Sequence, residues 1–118
     1  MNDERNLWLR KFQQAARGAA WAILHERNFR VHLAVAAAVV TAATVLQASF
    51  VEWCLLLACI GVVLAAEFFN TAIEQLARAI TRQHDEQTGR ALDIAAGAVL
   101  ITSVFAAVVG ALIFIHRL

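Results

Sequence analysis

The sequence Glu-Phe-Phe-Asn-Thr-Ala-Ile-Glu, residues 67–74, follows an unbroken apolar run over 53–66 and leads into more apolar sequence. Glu67, Asn70 and Glu74 are spaced i, i+3 and i+7, which places them on one face of a helix. Carboxylates on so apolar a helix cost free energy unless a cation, a proton or water compensates them. This polar face is therefore the candidate functional site, and the other segments are interpreted as its surroundings.

The composition indicates a small integral membrane protein. Of 118 residues, 61% are hydrophobic and 16% are charged, against roughly 45–50% and about 25% in soluble domains. The length fits one domain, 1–118, and proline is absent, so no residue forbids long helices.

Cys54 and Cys59 have no His or further Cys beside them and do not suggest a zinc site. His32, at the start of an apolar run, is most simply an interfacial residue.

Four segments have the pattern of helices, and together they predict an all-α membrane protein. Residues 3–28 repeat apolar side chains about once per turn among basic ones, as in an amphipathic helix at the membrane surface. A helix packed on protein has the same pattern. Residues 31–51, 53–80 and 94–115 are apolar runs long enough, at 1.5 Å per residue, to cross roughly 30 Å of hydrocarbon. The first two are expected to be antiparallel neighbours, and 81–93 is expected to be a loop or a loosely helical connection.

Positive charges predict the orientation of the three spans. Six of the ten Lys and Arg residues lie within 5–30, three lie within 78–90, and only Arg117 lies beyond the last span. By the positive-inside rule the N-terminus and the 81–93 loop are cytoplasmic and the C-terminus is outside. The polar face at 67–74 then lies in the cytoplasmic half of its helix, within reach of cytosolic nucleotide and metal.

The carboxylates suit phosphoryl transfer. Glu26, Glu67 and Glu74 can converge if the surface helix folds back on the second span. Carboxylate and amide oxygens suit Mg²⁺, which commonly binds through one or two carboxylates plus substrate phosphates, and phosphoryl transfer also needs a base for the attacking hydroxyl. The chain has no Gly-rich phosphate loop, so a kinase here has a different construction. Interhelical hydrogen bonds or a proton or ion pathway explain the same residues, and the spacing leaves these alternatives open.

Four motifs along the chain match one family pattern. They are Phe12-x5-Gly18, Glu26-Arg-Asn-Phe-Arg-Val-His32, Glu67-x-x-Asn70-Thr-Ala-Ile-Glu74 and Gly89-Arg90-Ala-x-Asp93-Ile-Ala-Ala-Gly-Ala-Val99. With them the chain resembles the small prokaryotic diacylglycerol kinase and undecaprenol kinase family over nearly its whole length, and the third motif is highly specific. The resemblance implies a homotrimer in the bacterial cytoplasmic (inner) membrane, with active sites shared between subunits. It also implies transfer of the ATP γ-phosphate to a lipid hydroxyl, with no nucleic-acid partner.

The resemblance also implies roles for individual residues. Glu67 corresponds to a general base, Glu26 and Glu74 to ligands of Mg²⁺, and Asn70 and Asp93 to residues that organise the substrate and nucleotide site. The motifs recur in members of both substrate types, so they leave diacylglycerol and undecaprenol as alternative acceptors.

Two departures from the family pattern affect this inference. Arg78 stands where the family usually has Asp, and Leu92 stands where it usually has Lys, a contact for the nucleotide phosphates. Loss of that cation can cost on the order of 10²–10³ in rate. Arg78 either pairs with Glu74 one turn earlier or replaces the missing Lys, and Arg90 is the other candidate substitute. An active but divergent lipid kinase is our leading hypothesis. The alternatives are a catalytically impaired, kinase-like regulatory or scaffolding protein and an ion or proton carrier.

Overall fold

The structure, a computed structural model, describes residues 2–80 and 85–118. These two ranges contain helices and no strand, as the sequence predicts. Three of the helices are long and apolar enough to cross a membrane. In chain order the helices are α1 (Asn2–His25), α2 (Arg27–Val45), α3 (Phe50–Ile80) and α4 (Glu86–Arg117).

The first span begins earlier than predicted, and the preceding helix ends earlier. We expected a surface helix over 3–28 and a span from residue 31, but the backbone of Glu26 is extended, with φ −105° and ψ 115°. This residue separates α1 from α2 and is the N-cap of α2. The break therefore falls at the candidate metal ligand itself.

The first span also ends earlier than predicted, at Val45 rather than at residue 51. The Ala48 amide donates to the Ala43 carbonyl at 2.9 Å, and the Gln47 amide donates to the Thr44 carbonyl at 3.2 Å. This is the hydrogen-bond pattern of a Schellman motif, which needs a left-handed residue after the helix. Gln47 supplies it with φ 55°.

The last span begins eight residues before the predicted Ile94, at Glu86. The Asp85 side chain accepts hydrogen bonds from the Thr88 amide at 3.3 Å and from the Thr88 hydroxyl at 2.9 Å. This N-cap satisfies an amide that the helix leaves unpaired and so extends it into polar sequence. The part of the expected 81–93 connection over 81–84 lies outside the described residues.

The bundle is closed at the end away from residues 67–74. Ala43, Leu56 and Ile113 form a buried cluster there, which joins α2, α3 and α4. Arg117 forms an ion pair with Glu52 and donates to the Leu46 carbonyl at 3.3 Å. Because these contacts fix the far ends of three helices, they also fix how the helices approach one another at the other end.

Much of the remaining apolar surface is open. Phe69 on α3 is 70% exposed, and Phe105 and Leu112 on α4 are similarly exposed. Faces of this size are covered by lipid or by other protein, as expected for spans. Trp8 and Phe12 on α1 are exposed too, and the position of α1 at a membrane surface stays a prediction.

Candidate active site

Glu67, Asn70 and Thr71 are the buried polar residues of the described chain, with exposed fractions of 3%, 6% and 5%. All three lie on α3, in the polar stretch that interrupts its apolar sequence. A buried ionisable side chain in a span is expensive, so it marks a functional site unless it is paired. The geometry around Glu67 therefore decides what the site can do.

An aromatic contact holds the start of α2 against α3 at the level of Glu67. Phe29 is 1% exposed, and its ring centroid lies 4.1 Å from that of Phe68. His32 lies three residues after Phe29 on the same face of α2, and Glu26 directly precedes the helix as its N-cap. Both are therefore carried to α3 on either side of Phe29. Phe68 therefore packs between the two helices.

His32 contacts the buried carboxylate. Its Nε2 lies 3.4 Å from Oε2 of Glu67, and only 4% of the Glu67 side chain is exposed. From the sequence, His32 is most simply an interfacial residue, and its contact with Glu67 appears only in the structure. The available signal was its spacing: His32 follows Glu26 by six residues and Phe29 by three, which places all three near one face of a helix.

The structure brings the three predicted carboxylates together. Glu26, at the start of α2, and Glu74, two turns after Glu67 on α3, both lie near Glu67. The Glu26 side chain makes no capping hydrogen bond to α2, although the residue is the N-cap. Its carboxylate is therefore left for another partner. We call Glu26, Glu67, Asn70 and Glu74 the carboxylate cluster.

Asn70 links the cluster internally and leaves one oxygen unpaired. Its Nδ2 donates to Glu74 Oε1 at 3.0 Å, whereas its buried Oδ1 has no hydrogen-bond partner among the described residues. A buried unpaired oxygen costs roughly 1–3 kcal/mol. Such an atom is a candidate contact for a bound cation or a hydroxyl donor.

The donor set of the cluster fits Mg²⁺ shared with a substrate. Within 3–80 and 85–118, no three His, Cys, Asp or Glu side chains are arranged to hold a metal ion by themselves. Mg²⁺ keeps several waters and usually binds through one or two carboxylates plus substrate phosphates. Glu26, Glu74 and the unpaired Oδ1 of Asn70 are hard oxygen donors of this kind.

A largely apolar groove lies between α2, α3 and α4 and is lined by His32, the residue that contacts Glu67. Its volume is about 440 Å³. Val31 and His32 line it near Glu67, Leu56 and Phe114 line it towards the closed end, and Ser103 adds a hydroxyl. The groove is suited to an apolar chain whose polar end lies beside His32.

Comparison with known proteins identifies the family. The sequence profile of the family described as prokaryotic diacylglycerol kinase matches residues 13–114. The chain belongs to this family. Undecaprenol kinase of Bacillus subtilis is 36% identical over 116 residues, which cover 98% of this chain and 94% of that protein. Diacylglycerol kinase of Synechocystis sp. is 33% identical over 113 residues, which cover 90% of this chain and 65% of that protein.

The predicted family and activity class are therefore confirmed: the chain is a membrane lipid kinase, with ATP as co-substrate. The comparisons do not assign its site residues, so these assignments remain predictions. In the structure, some of the predicted site residues lie in the carboxylate cluster and others lie outside it.

Arg78, Arg90 and Asp93 do not join the carboxylate cluster within one chain. Arg78 is exposed and forms no ion pair with Glu74, so it leaves that carboxylate available. Arg90 pairs with Glu86 at 3.6 Å, and both side chains are largely exposed. Asp93 is exposed as well. Of the two possibilities for Arg78, pairing with Glu74 is thus not the arrangement in this structure.

Proposed function

We propose that phosphoryl transfer takes place at the carboxylate cluster, with Glu67 as general base. The observation that carries this proposal is the burial of Glu67 against His32, a residue that lines the apolar groove. A lipid chain lying in the groove brings its terminal hydroxyl to this carboxylate. A base must lie within hydrogen-bond reach of the proton it removes, and the groove is lined by His32, whose Nε2 is 3.4 Å from Glu67 Oε2.

The reaction is a direct in-line transfer. Glu67 accepts the proton of the lipid hydroxyl as its oxygen forms a bond to the γ-phosphorus of ATP. The bond between that phosphorus and the β–γ bridging oxygen breaks, and ADP leaves with the electron pair. Glu26, Glu74 and Asn70 Oδ1 would hold Mg²⁺ together with the nucleotide phosphates. When bound, the ion neutralises charge on those phosphates.

We infer undecaprenol as the acceptor and diacylglycerol as the second candidate. The relative named undecaprenol kinase aligns with this chain nearly end to end, whereas the chain spans about two thirds of the relative named diacylglycerol kinase. The groove itself accepts an apolar chain of either lipid. The acceptor is therefore tested by offering both lipids to the same preparation.

The test is incorporation of labelled phosphate from ATP into undecaprenol and diacylglycerol in nanodiscs. Glu67→Gln is expected to lower kcat by roughly 10²–10⁴, since this is the range that general base catalysis contributes. Glu4→Gln removes an exposed carboxylate from α1 and serves as the matched control. A Glu67→Gln protein that is folded and retains substantial activity contradicts the assignment of the base.

We further propose that the chain forms a homotrimer whose active sites are shared between subunits. The exposed positions of Arg78, Arg90 and Asp93 support this, because side chains outside one cluster are available to that of a neighbour. Sedimentation equilibrium in detergent is expected to give about three times 12.9 kDa. Mixing inactive Glu67→Gln with inactive Asp93→Asn is expected to restore activity, and a monomer or an inactive mixture contradicts the proposal.

For orientation, we propose a bacterial cytoplasmic membrane location with the N-terminus and the 81–93 segment in the cytoplasm and the C-terminus outside. The Lys and Arg distribution supports it. In a chain with Cys54 and Cys59 replaced by Ala, a single Cys at position 4 or 118 reports each end. An impermeant maleimide applied to intact spheroplasts is expected to label only position 118. Labelling at position 4 would show that the chain has the opposite orientation.

A further inference from the structure

His32 lies where the apolar groove meets the carboxylate cluster. It lines the groove, and its Nε2 is 3.4 Å from Glu67 Oε2. The imidazole keeps 23% of its side-chain surface exposed, while the carboxylate it contacts is almost fully buried. The Phe29–Phe68 contact one turn earlier fixes the part of α2 that carries the ring.

The chemistry of the pair assigns the proton. An ionised carboxylate only accepts hydrogen bonds, so a base at Glu67 requires Nε2 to carry a proton and donate it. The other acidic side chains near Glu67 are Glu26 at the start of α2 and Glu74 on α3. A carboxylate offers no hydrogen-bond donor to Glu67, whereas the imidazole does.

We propose that His32 is a positioning residue of the kinase site, which fixes the carboxylate of Glu67 by donating from Nε2 to Oε2. This rests on the proposed role of Glu67 as base. Holding Oε2 sets the plane of the carboxylate and therefore the direction in which Oε1 faces the lipid hydroxyl. The separation exceeds the usual N–H···O distance of about 2.9 Å, and catalytic hydrogen bonds commonly tighten once substrate is bound.

The experiment compares two amides that differ in reach. In His32→Gln the amide nitrogen occupies nearly the position of Nε2, whereas in His32→Asn the same group is one methylene shorter. We expect His32→Asn to lower kcat on the order of 10–10²-fold, because a displacement of about 1 Å can cost that much. His32→Gln is expected to stay within a few-fold of the unchanged protein. KM for lipid and for ATP is expected to change little in either variant.

Each outcome bears on the proposal. Equal kcat values for His32→Asn and the unchanged protein overturn it, and so does a His32→Gln protein as slow as His32→Asn. A rise in KM for lipid at unchanged kcat overturns it too, since that result makes His32 a groove contact only. Circular dichroism and gel filtration of both variants separate these results from misfolding.

Glu67→Gln, assayed beside these variants, separates failure of the inference from failure of the proposed function. If Glu67→Gln stays active, the base is elsewhere and the proposed function fails. If Glu67→Gln is inactive while His32→Asn is fully active, only the positioning role fails.

Discussion

At the scale of single residues, the site is built from side chains that the apolar sequence makes expensive. Glu67 and Asn70 stand out in the sequence because carboxylate and amide groups in a span need partners. The groups that contact these two side chains cannot be recognised from the sequence in the same way. His32 meets Glu67 only because α2 packs on α3, and the unpaired Oδ1 of Asn70 is visible only once its neighbours are placed.

Glu74 is expected to bind the metal rather than to take part in proton transfer. Glu74→Gln keeps an oxygen for the Asn70 amide but loses the charge. Loss of an outer-shell partner of a metal ligand costs about 10–100-fold in affinity, so for a direct ligand we expect the Mg²⁺ concentration at half-maximal activity to rise at least about tenfold. The measurement is a Mg²⁺ titration at saturating ATP, with Glu4→Gln as control. An unchanged titration rules out this role.

Leu92 is expected to limit the rate, since the family pattern usually has Lys at this position. Leu92→Lys supplies a cation for the nucleotide phosphates and is expected to raise kcat by about tenfold or more. Leu92→Gln adds polarity without charge and is the matched control. If the Lys and Gln variants have the same kcat, another cation already serves this function.

At the scale of the elements, helix ends rather than helix interiors position the site. The extended backbone at Glu26 turns the chain from α1 into α2, and the Schellman turn at Gln47 returns it towards α3. The Phe29–Phe68 contact then joins the start of α2 to the middle of α3. These three features set the distance between Glu26 and the carboxylates of α3.

The Phe29–Phe68 contact is expected to support both stability and activity. Phe29→Ala removes a buried ring and should lower the free energy of unfolding by roughly 3–5 kcal/mol. Because Glu26 and His32 lie one turn either side, kcat should fall as well. Phe50→Ala, at a ring that is 82% exposed, is the matched control. Unfolding by SDS in mixed micelles measures the difference, and equal losses in the two variants contradict the packing role.

Glycine at position 47 is expected to stabilise the turn between α2 and α3. Gln47 has φ 55°, a left-handed conformation that costs an L-residue roughly 1–2 kcal/mol. Gln47→Gly removes this cost but raises the conformational entropy of the unfolded chain. We therefore expect the free energy of unfolding to rise by about 0.5–1 kcal/mol. Gln47→Ala keeps the conformational cost and should change little. A destabilised Gly variant would show that the Gln47 side chain itself stabilises the turn.

At the scale of the whole molecule, the predicted carboxylates lie together within one chain, but other predicted site residues lie apart from them. The cluster and the groove belong to α2, α3 and α4, while Arg78, Arg90 and Asp93 remain exposed and outside the cluster. Large apolar faces of α3 and α4 are open as well. The proposed homotrimer would account for both observations, since it would cover apolar faces and bring exposed polar residues to a neighbouring cluster.

The sequence by itself determined the helical class, the spans and the polar face at 67–74, because hydrophobicity and helical spacing are local properties. Its motifs also indicated the family. The tertiary structure decided where helices start and stop, since Glu26, Gln47 and Asp85 act through backbone geometry and capping bonds. It also decided that His32 reaches Glu67 and that Arg78 does not hold Glu74, because contacts between helices depend on packing that no local pattern encodes.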